Sequence, residues 1–372
     1  RRLSGISARG PLTLVFELSR PYHDFPAVLT HPSLVPLPES AVVDPDRFLR
    51  VPVGNGPFHI AQPWTPGDPI LLRAYAGFID TPNLDGIRFL SFPDAAASWL
   101  LFRDEEIDVA EVPAGEIAAA TEEFGDRAFQ PFLATYNFGL NVAAPALDNL
   151  RLRRAINHAI DREAIAQNVY RGSMEPARGI VPAGMPGFLE NICVDLCDHR
   201  PDLSARLVRD LRPRERLVRL EYAGEQPHPR VAQMARRDLE DVGLRVSVRR
   251  YGFAKYVRRL QSDDHHVYRL GWIAEVPTAD AFLYPLFGSE SPDNHSGFAS
   301  EEVDRLLARA HATRSDAKRV QIYIQAEKAI MRRTPIVPVG SFVTHWAAHE
   351  SVTDLVFDQM GGFDAVDVSL AT

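Results

Sequence analysis

The feature that most constrains this chain is a repeated switch between two apolar periods. Leu217 to Tyr222 reads as a strand, and Val231, Met234, Ala235, Leu239 and Val242 then recur at the spacing of one helix face. Gly243 sits where a helix C-cap belongs, and Leu244, Val246 and Val248 next alternate with Arg245, Ser247 and Arg249. A shorter helix around Lys255 to Leu260 leads to another strand, Val267 to Ala274. Parallel strands need a crossover, usually helical, so such alternation predicts mostly parallel sheets covered by helices. The 372 residues exceed one ordinary core and fit two or three domains.

Flanking segments are read the same way. Leu12, Leu14, Phe16 and Leu18 alternate with polar neighbours as a half-buried strand, and a Pro-rich run follows to about Pro52. That strand has no evident partner before it. Ile87 to Phe92 reads as a buried strand, Asp94 as the N-cap of a helix carrying Ala97, Trp99, Leu100 and Leu101, and Ile107 to Val112 as the returning strand of a βαβ unit. Leu152, Ala155, Ile156, Ala159 and Ile160 mark a helix, with Asp161 capping the next. Two helices, from Ser300 and from about Asp316, precede a β-rich tail from Ile336.

Composition narrows the function classes. With 41 Lys+Arg against 49 Asp+Glu, the net charge of −8 argues against general nucleic-acid binding. No stretch approaches the ~20 apolar residues that cross a bilayer, and Arg1-Arg2-Leu3-Ser4-Gly5 leads into polar sequence rather than a secretory h-region. Catalytic and metal signatures are weak. Gly54-Asn-Gly56-Pro-Phe58 predicts a turn into a strand, not the helix N-terminus that a phosphate loop needs. His345 and His349 have zinc-ligand spacing for a helix, but their surroundings are extended. At ~3.3 Å per residue they would lie roughly 13 Å apart. Asp263-Asp264-His265-His266 reads as a solvated turn. Cys193 and Cys197 leave a local disulfide, free thiols and metal ligation all open.

Several stretches together resemble the bacterial solute-binding proteins for oligopeptides, dipeptides and nickel (extracellular solute-binding protein family 5). Val51-Pro-Val-Gly-Asn-Gly-Pro-Phe58 is similar to a family turn. Phe92-Pro-Asp-Ala-Ala-Ala-Ser98 with Glu106-Ile-Asp-Val-Ala-Glu-Val112 resembles its first-lobe βαβ unit. Asn149-Leu-Arg-Leu-Arg-Arg-Ala-Ile-Asn-His-Ala-Ile-Asp-Arg162 is similar to its most recognisable helix. Val181-Pro-Ala-Gly-Met-Pro-Gly-Phe188, Gly271-Trp-Ile-Ala-Glu275 and Asn294-His-Ser-Gly-Phe298 follow in the family's order.

The resemblance implies an α/β, two-lobed periplasmic-binding-protein-like (class II) fold with mixed sheets and an incomplete first lobe. Residues 1–53 would be a remnant of a small extra domain, 54–141 and 336–372 the first lobe, and 142–335 the second. The family's N-terminal part is expected to lie outside this chain. The chain would cross between lobes near Tyr136 to Val142 and Ile336 to Gly340. The implied activity is capture of a peptide or similar small solute for the membrane subunits of an ABC importer. A monomer in the periplasm, or anchored as a lipoprotein, is expected, with no cofactor, no catalysis and no nucleic acid bound through this region. Similar domains stand behind DNA-binding modules in some bacterial regulators, so a cytoplasmic ligand sensor is the alternative. Metal chelates, haem, sugars and opines are alternative ligands.

At residue level, Gly271 to Glu275 matches the second-lobe strand that pairs with an extended peptide. Peptide binders of the family carry an aspartate at the position of Glu275, where it takes the ligand's α-ammonium. Here the residue is a glutamate, one methylene longer, followed by Val276-Pro277. Trp272, Ile273, Ala274, Tyr136, Asn137 and Asn294 complete the expected ligand-binding set, with Trp272 equally suited to cover an apolar ligand group or to fill the core.

Overall fold

The computed structural model describes residues 5–125, 129–262 and 264–371. Arg1 to Ser4 and Asp263 of the charged turn therefore lie outside the described residues. Strands β1 (Ile6–Ala8) and β2 (Leu14–Phe16) pair antiparallel, so the Leu12–Leu18 alternation does have a preceding partner. Its leucines are nonetheless exposed, Leu12 at 96% and Leu14 at 58%, rather than half-buried.

Strands β3 (Phe58–Ile60), β4 (Ile70–Ala74) and β5 (Gly86–Phe89) form a three-stranded antiparallel sheet. The expected βαβ unit over residues 87–112 is absent as such. Strand β6 (Val109–Glu111) pairs with another strand and not with β5. The intervening helix Ala95–Arg103, capped by Asp94 as expected, explains why. It buries Trp99 and Phe102 against Ala110 and Ala347, on the β6 side.

The main sheet has seven strands. The others are β7 (Phe129–Leu140), β8 (Met174–Pro176), β9 (Leu217–Ala223), β10 (Arg245–Tyr251), β11 (Val267–Ile273) and β12 (Ile336–Ala348). A two-stranded ladder of β13 (Val352–Thr353) and β14 (Ser369–Leu370) lies beyond. The order is β10-β9-β11-β7-β12-β6, with β8 also on β12. β10, β9 and β11 are parallel, as the alternation predicts, but β7 runs antiparallel to β11 and to β12, and β6 and β8 pair antiparallel with β12, so the sheet is mixed and not mostly parallel.

Each face of this sheet has its own core. Leu133, Tyr268, Leu270 and Ile336 pack with helices Asp280–Phe287, Glu301–His311 and Asp316–Arg333. Tyr136, Phe138, Leu140, Val218, Leu220 and Val337 pack with helices Leu150–Ala159 and His228–Asp241. Burying apolar side chains on both faces supplies most of the stabilisation, at roughly 25 cal/mol per Å² removed from water.

The helix Leu150–Ala159 and the turn after it also bury polar side chains that fasten β12. Arg153 donates to the carbonyls of Arg333 and Thr334, and the Asn157 amide donates to Ile336 O at 3.0 Å. Arg162, fully enclosed, donates to Pro338 O at 2.6 Å and to Asn157 Oδ1 at 3.0 Å. Burial pushes its guanidinium pKa down to about 10, so it stays charged and bound to carbonyl dipoles. The N-terminal segment is tied to the same body. Asp24 meets Arg319 (2.7 Å) and Tyr323 (2.7 Å), and Tyr22 donates to Asp280 at 2.9 Å.

β7 and β12 run the length of the sheet. From Ala134 to Leu140, β7 pairs with β11, while the far end of β12 pairs with β6 at Trp346–Ala348. The change of partners thus falls before Ala134 on β7 and between Phe342 and Trp346 on β12.

Candidate ligand-binding site

β11 outruns its neighbour. β9 pairs with it only at Val267 and Tyr268, whereas β7 accompanies it to Ile273. The Ala274 N–H continues the β7 side by donating to Leu133 O at 2.8 Å. Main-chain groups alternate sides along an antiparallel strand. Those of Arg269, Gly271 and Ile273 therefore point away from β7, toward the side that β9 has left. The Arg269 carbonyl there accepts from the Tyr256 hydroxyl at 2.5 Å. Among the described residues no strand pairs with Gly271 or Ile273 on that side. The result is a short open edge, with Ile273 60% exposed.

The edge is bounded by opposite charges. At one end Glu275 is exposed. At the other, the Arg269 guanidinium lies 5.1 Å from the ring centroid of Tyr136. No carboxylate pairs with this guanidinium among the described residues, and its Nε is buried without a hydrogen bond. Gly271 makes the placement feasible, since a β-carbon there would lie 2.8 Å from the guanidinium carbon.

Around Arg269 stand Tyr136, Tyr170 and His228, with Phe342 behind Tyr170. The Tyr170 ring is 6.1 Å from Tyr136 and 5.6 Å from Phe342, and His228, first residue of its helix, is 5.6 Å from Tyr136. The Tyr170 hydroxyl and His228 Nδ1 are buried without hydrogen-bond partners. Burial, then the Arg269 charge, push the His228 pKa down to about 4, so this imidazole is neutral near pH 7. Unsatisfied buried polar groups cost roughly 1–3 kcal/mol each, and an anionic group placed here would meet a guanidinium and a hydroxyl donor together.

The structure gathers some of the expected residues and separates others. Ile273, Ala274 and Glu275 stand together at the end of the open edge. Ala274, however, is 1% exposed and hydrogen-bonded to Leu133. Trp272 points to the opposite face, donating to Ala281 O at 2.6 Å and packing in the core, which favours the core role of the two expected. Tyr136 is fully buried and reaches the site through the face it shares with Arg269. Asn137 is buried on the other face of β7, where its amide donates to Thr135 Oγ1 at 2.8 Å. Asn294 is not brought to Glu275. Its amide donates to Gly288 O and Phe298 O, and its loop meets β7 at Val142, beyond the opposite end of the strand.

Arg269, Tyr170, His228 and Phe342 escape sequence reading because four separate segments supply them. The one visible signal is Arg269 itself, a lone cation within the apolar run Val267–Ile273.

The other motifs resolve into structure. Cys193 and Cys197 form a disulfide at the edge of one core. His345 and His349 lie on and just past β12 and meet different carbonyls, Gly172 O at 3.2 Å and Phe102 O at 3.1 Å. Asp264 pairs with Arg259 at 2.6 Å, beside the buried Glu221, and is not merely solvated.

Known proteins resemble this chain in sequence and in fold. The dipeptide-binding protein of Escherichia coli is 24% identical over 338 residues, covering 88% of this chain and 63% of that protein. The chain thus spans about three-fifths of that relative's length. HbpA2 from Haemophilus parasuis superposes with a TM-score of 0.86 at 21% identity, over 99% of this chain and 76% of that one. DppA from Helicobacter pylori, solved with the peptide STSA, gives a TM-score of 0.75 at 22% identity, over 99% and 74%. The profile described as bacterial extracellular solute-binding proteins, family 5, middle, matches residues 2–294, and the chain belongs to that family.

Proposed function

We propose that this chain captures a short peptide, or a solute with the same terminal charges, along the open edge of β11 and delivers it to an ABC importer. The observation that carries the reading is the edge itself. Open main-chain groups at Gly271 and Ile273 lie between the Arg269 guanidinium, which has no carboxylate partner among the described residues, and an exposed carboxylate at Glu275. Strand addition uses the ligand's main chain and so tolerates varied side chains. The two charges would fix its direction and length, with the ligand ammonium at Glu275 and its carboxylate at Arg269. Six residues of extended chain span roughly 20 Å, and the guanidinium shortens the gap by folding over Gly271.

In this reading residues 142–335 form the ligand-bearing lobe, β7 and β12 lead to the other, and closure about those strands covers the solute. An extracytoplasmic setting is supported over a cytoplasmic sensor by the Cys193–Cys197 disulfide, because such bonds persist mainly outside reducing compartments. Among the described residues no helix is long and apolar enough to cross a membrane.

Native mass spectrometry of the purified chain would identify a co-purifying solute, and calorimetry would then test the two charges. Glu275→Gln and Arg269→Gln should each weaken binding by roughly 1.5–3 kcal/mol, about ten- to a hundred-fold. A peptide with a blocked amino terminus should lose little more with Glu275→Gln, and a peptide amide little more with Arg269→Gln. Unchanged affinity in both variants rejects the reading.

A further inference from the structure

The chain carries a net charge of −8, yet residues 242–262 contain six basic residues and no acidic one. The fold gathers this run at one margin of the molecule. β10 is the outer strand of the main sheet, and the helix Phe253–Leu260 follows it directly. Arg245, Arg249, Arg250, Lys255 and Arg258 are exposed, and no carboxylate forms an ion pair with any of them among the described residues. The remaining cation, Arg259, is neutralised by the buried Glu221 and by Asp264.

The same helix also exposes two apolar side chains. Phe253 is 63% exposed and Val257 38%, one turn apart, while Tyr256 and Leu260 bury the inner face. Basic residues on a sheet margin can serve merely to prevent strand pairing, but that purpose does not call for an exposed phenylalanine beside them. Five exposed cations without a carboxylate partner, on one margin with two exposed apolar side chains, match a negatively charged, apolar-backed interface.

We propose that this margin docks on an anionic lipid surface, with the cations at the phosphate headgroups and Phe253 inserted between them. The inner side of this helix borders the β11 edge through Tyr256, but the exposed cations and Phe253 are not among the residues placed at the ligand, so the proposal does not depend on that ligand. Docking would hold the protein at the bilayer where an importer resides.

Co-sedimentation of the full chain with vesicles tests this. It should bind vesicles containing phosphatidylglycerol and not vesicles of phosphatidylcholine alone. Binding should fall as salt shortens the screening length. Each basic residue near an anionic surface strengthens partition about five-fold, so Lys255→Glu with Arg258→Glu should weaken it by at least ~25-fold. Phe253→Ser should weaken binding while keeping its dependence on salt. These side chains are exposed, so thermal unfolding and ligand affinity should match the unaltered protein. Failure to bind phosphatidylglycerol vesicles at low salt, or equal binding by the doubly charge-reversed variant, overturns the proposal. Retention on soluble polyglutamate without vesicle binding also overturns it, and assigns the margin to an acidic polypeptide.

Discussion

At residue scale, the least conventional group is Glu327. It is 1% exposed, and its Oε1 accepts from the N–H groups of Ile180 (2.6 Å) and Val181 (3.1 Å), holding the loop after Gly179 against the helix Asp316–Arg333. Desolvation raises its pKa to about 7, although both N–H groups favour the charged form. The folded state therefore holds this proton more tightly than the unfolded chain. The resulting stabilisation is full below the ordinary glutamate range near 4.5 and is lost as pH rises through about 7. Its size is of order 3 kcal/mol, from the separation of the two values. Chemical denaturation at a series of pH values should show stability falling across that window, with Glu327→Gln flattening the fall. Parallel curves for the two proteins would show that the carboxyl is already ionised at acid pH. Little of this is legible in the sequence, where Glu327 is one polar residue in an amphipathic helix.

At the scale of elements, the helix Leu150–Ala159 shows what a recognisable motif does physically. Its apolar spacing is that of any amphipathic helix. Arg153, Asn157 and the following Arg162 set it apart, because they donate to the carbonyls of Arg333 and Thr334 just before β12 and of Ile336 and Pro338 at its start. Arg162→Met keeps most of the volume but leaves the carbonyls of Pro338 and Ile160 without their donor. The expected loss is about 3 kcal/mol in urea unfolding, the range for orphaned buried polar groups. A loss under ~0.5 kcal/mol would mean that water replaces the guanidinium. The apolar period placed this helix, and Asn149 and Asp161 cap the two segments as their residue types suggest. The destination of its polar face was not readable, since β12 lies some 180 residues away.

At the scale of the whole molecule, the proposed lobes would meet where β7 and β12 change partners. Ligand saturation should then lower the radius of gyration in small-angle scattering, while Arg269→Gln at the same ligand concentration should leave it nearer the free value. No change in either protein would argue for a rigid binding surface instead of closure. What the sequence determined was the alternation itself, because periods of two and 3.6 name strands and helices wherever they are long enough. It thereby pointed to parallel strands joined by helices, the caps at Asp94 and Asp161, and, through the ordered resemblance, the family. The tertiary structure decided what depends on distant partners. It placed β6 beside β12 and not β5, turned Trp272 into the core, closed the disulfide, and assembled Arg269 with Tyr136, Tyr170 and His228. Periodicity reports which side of an element is buried. It carries no information about which other element buries it, because that is settled by packing among segments hundreds of residues apart.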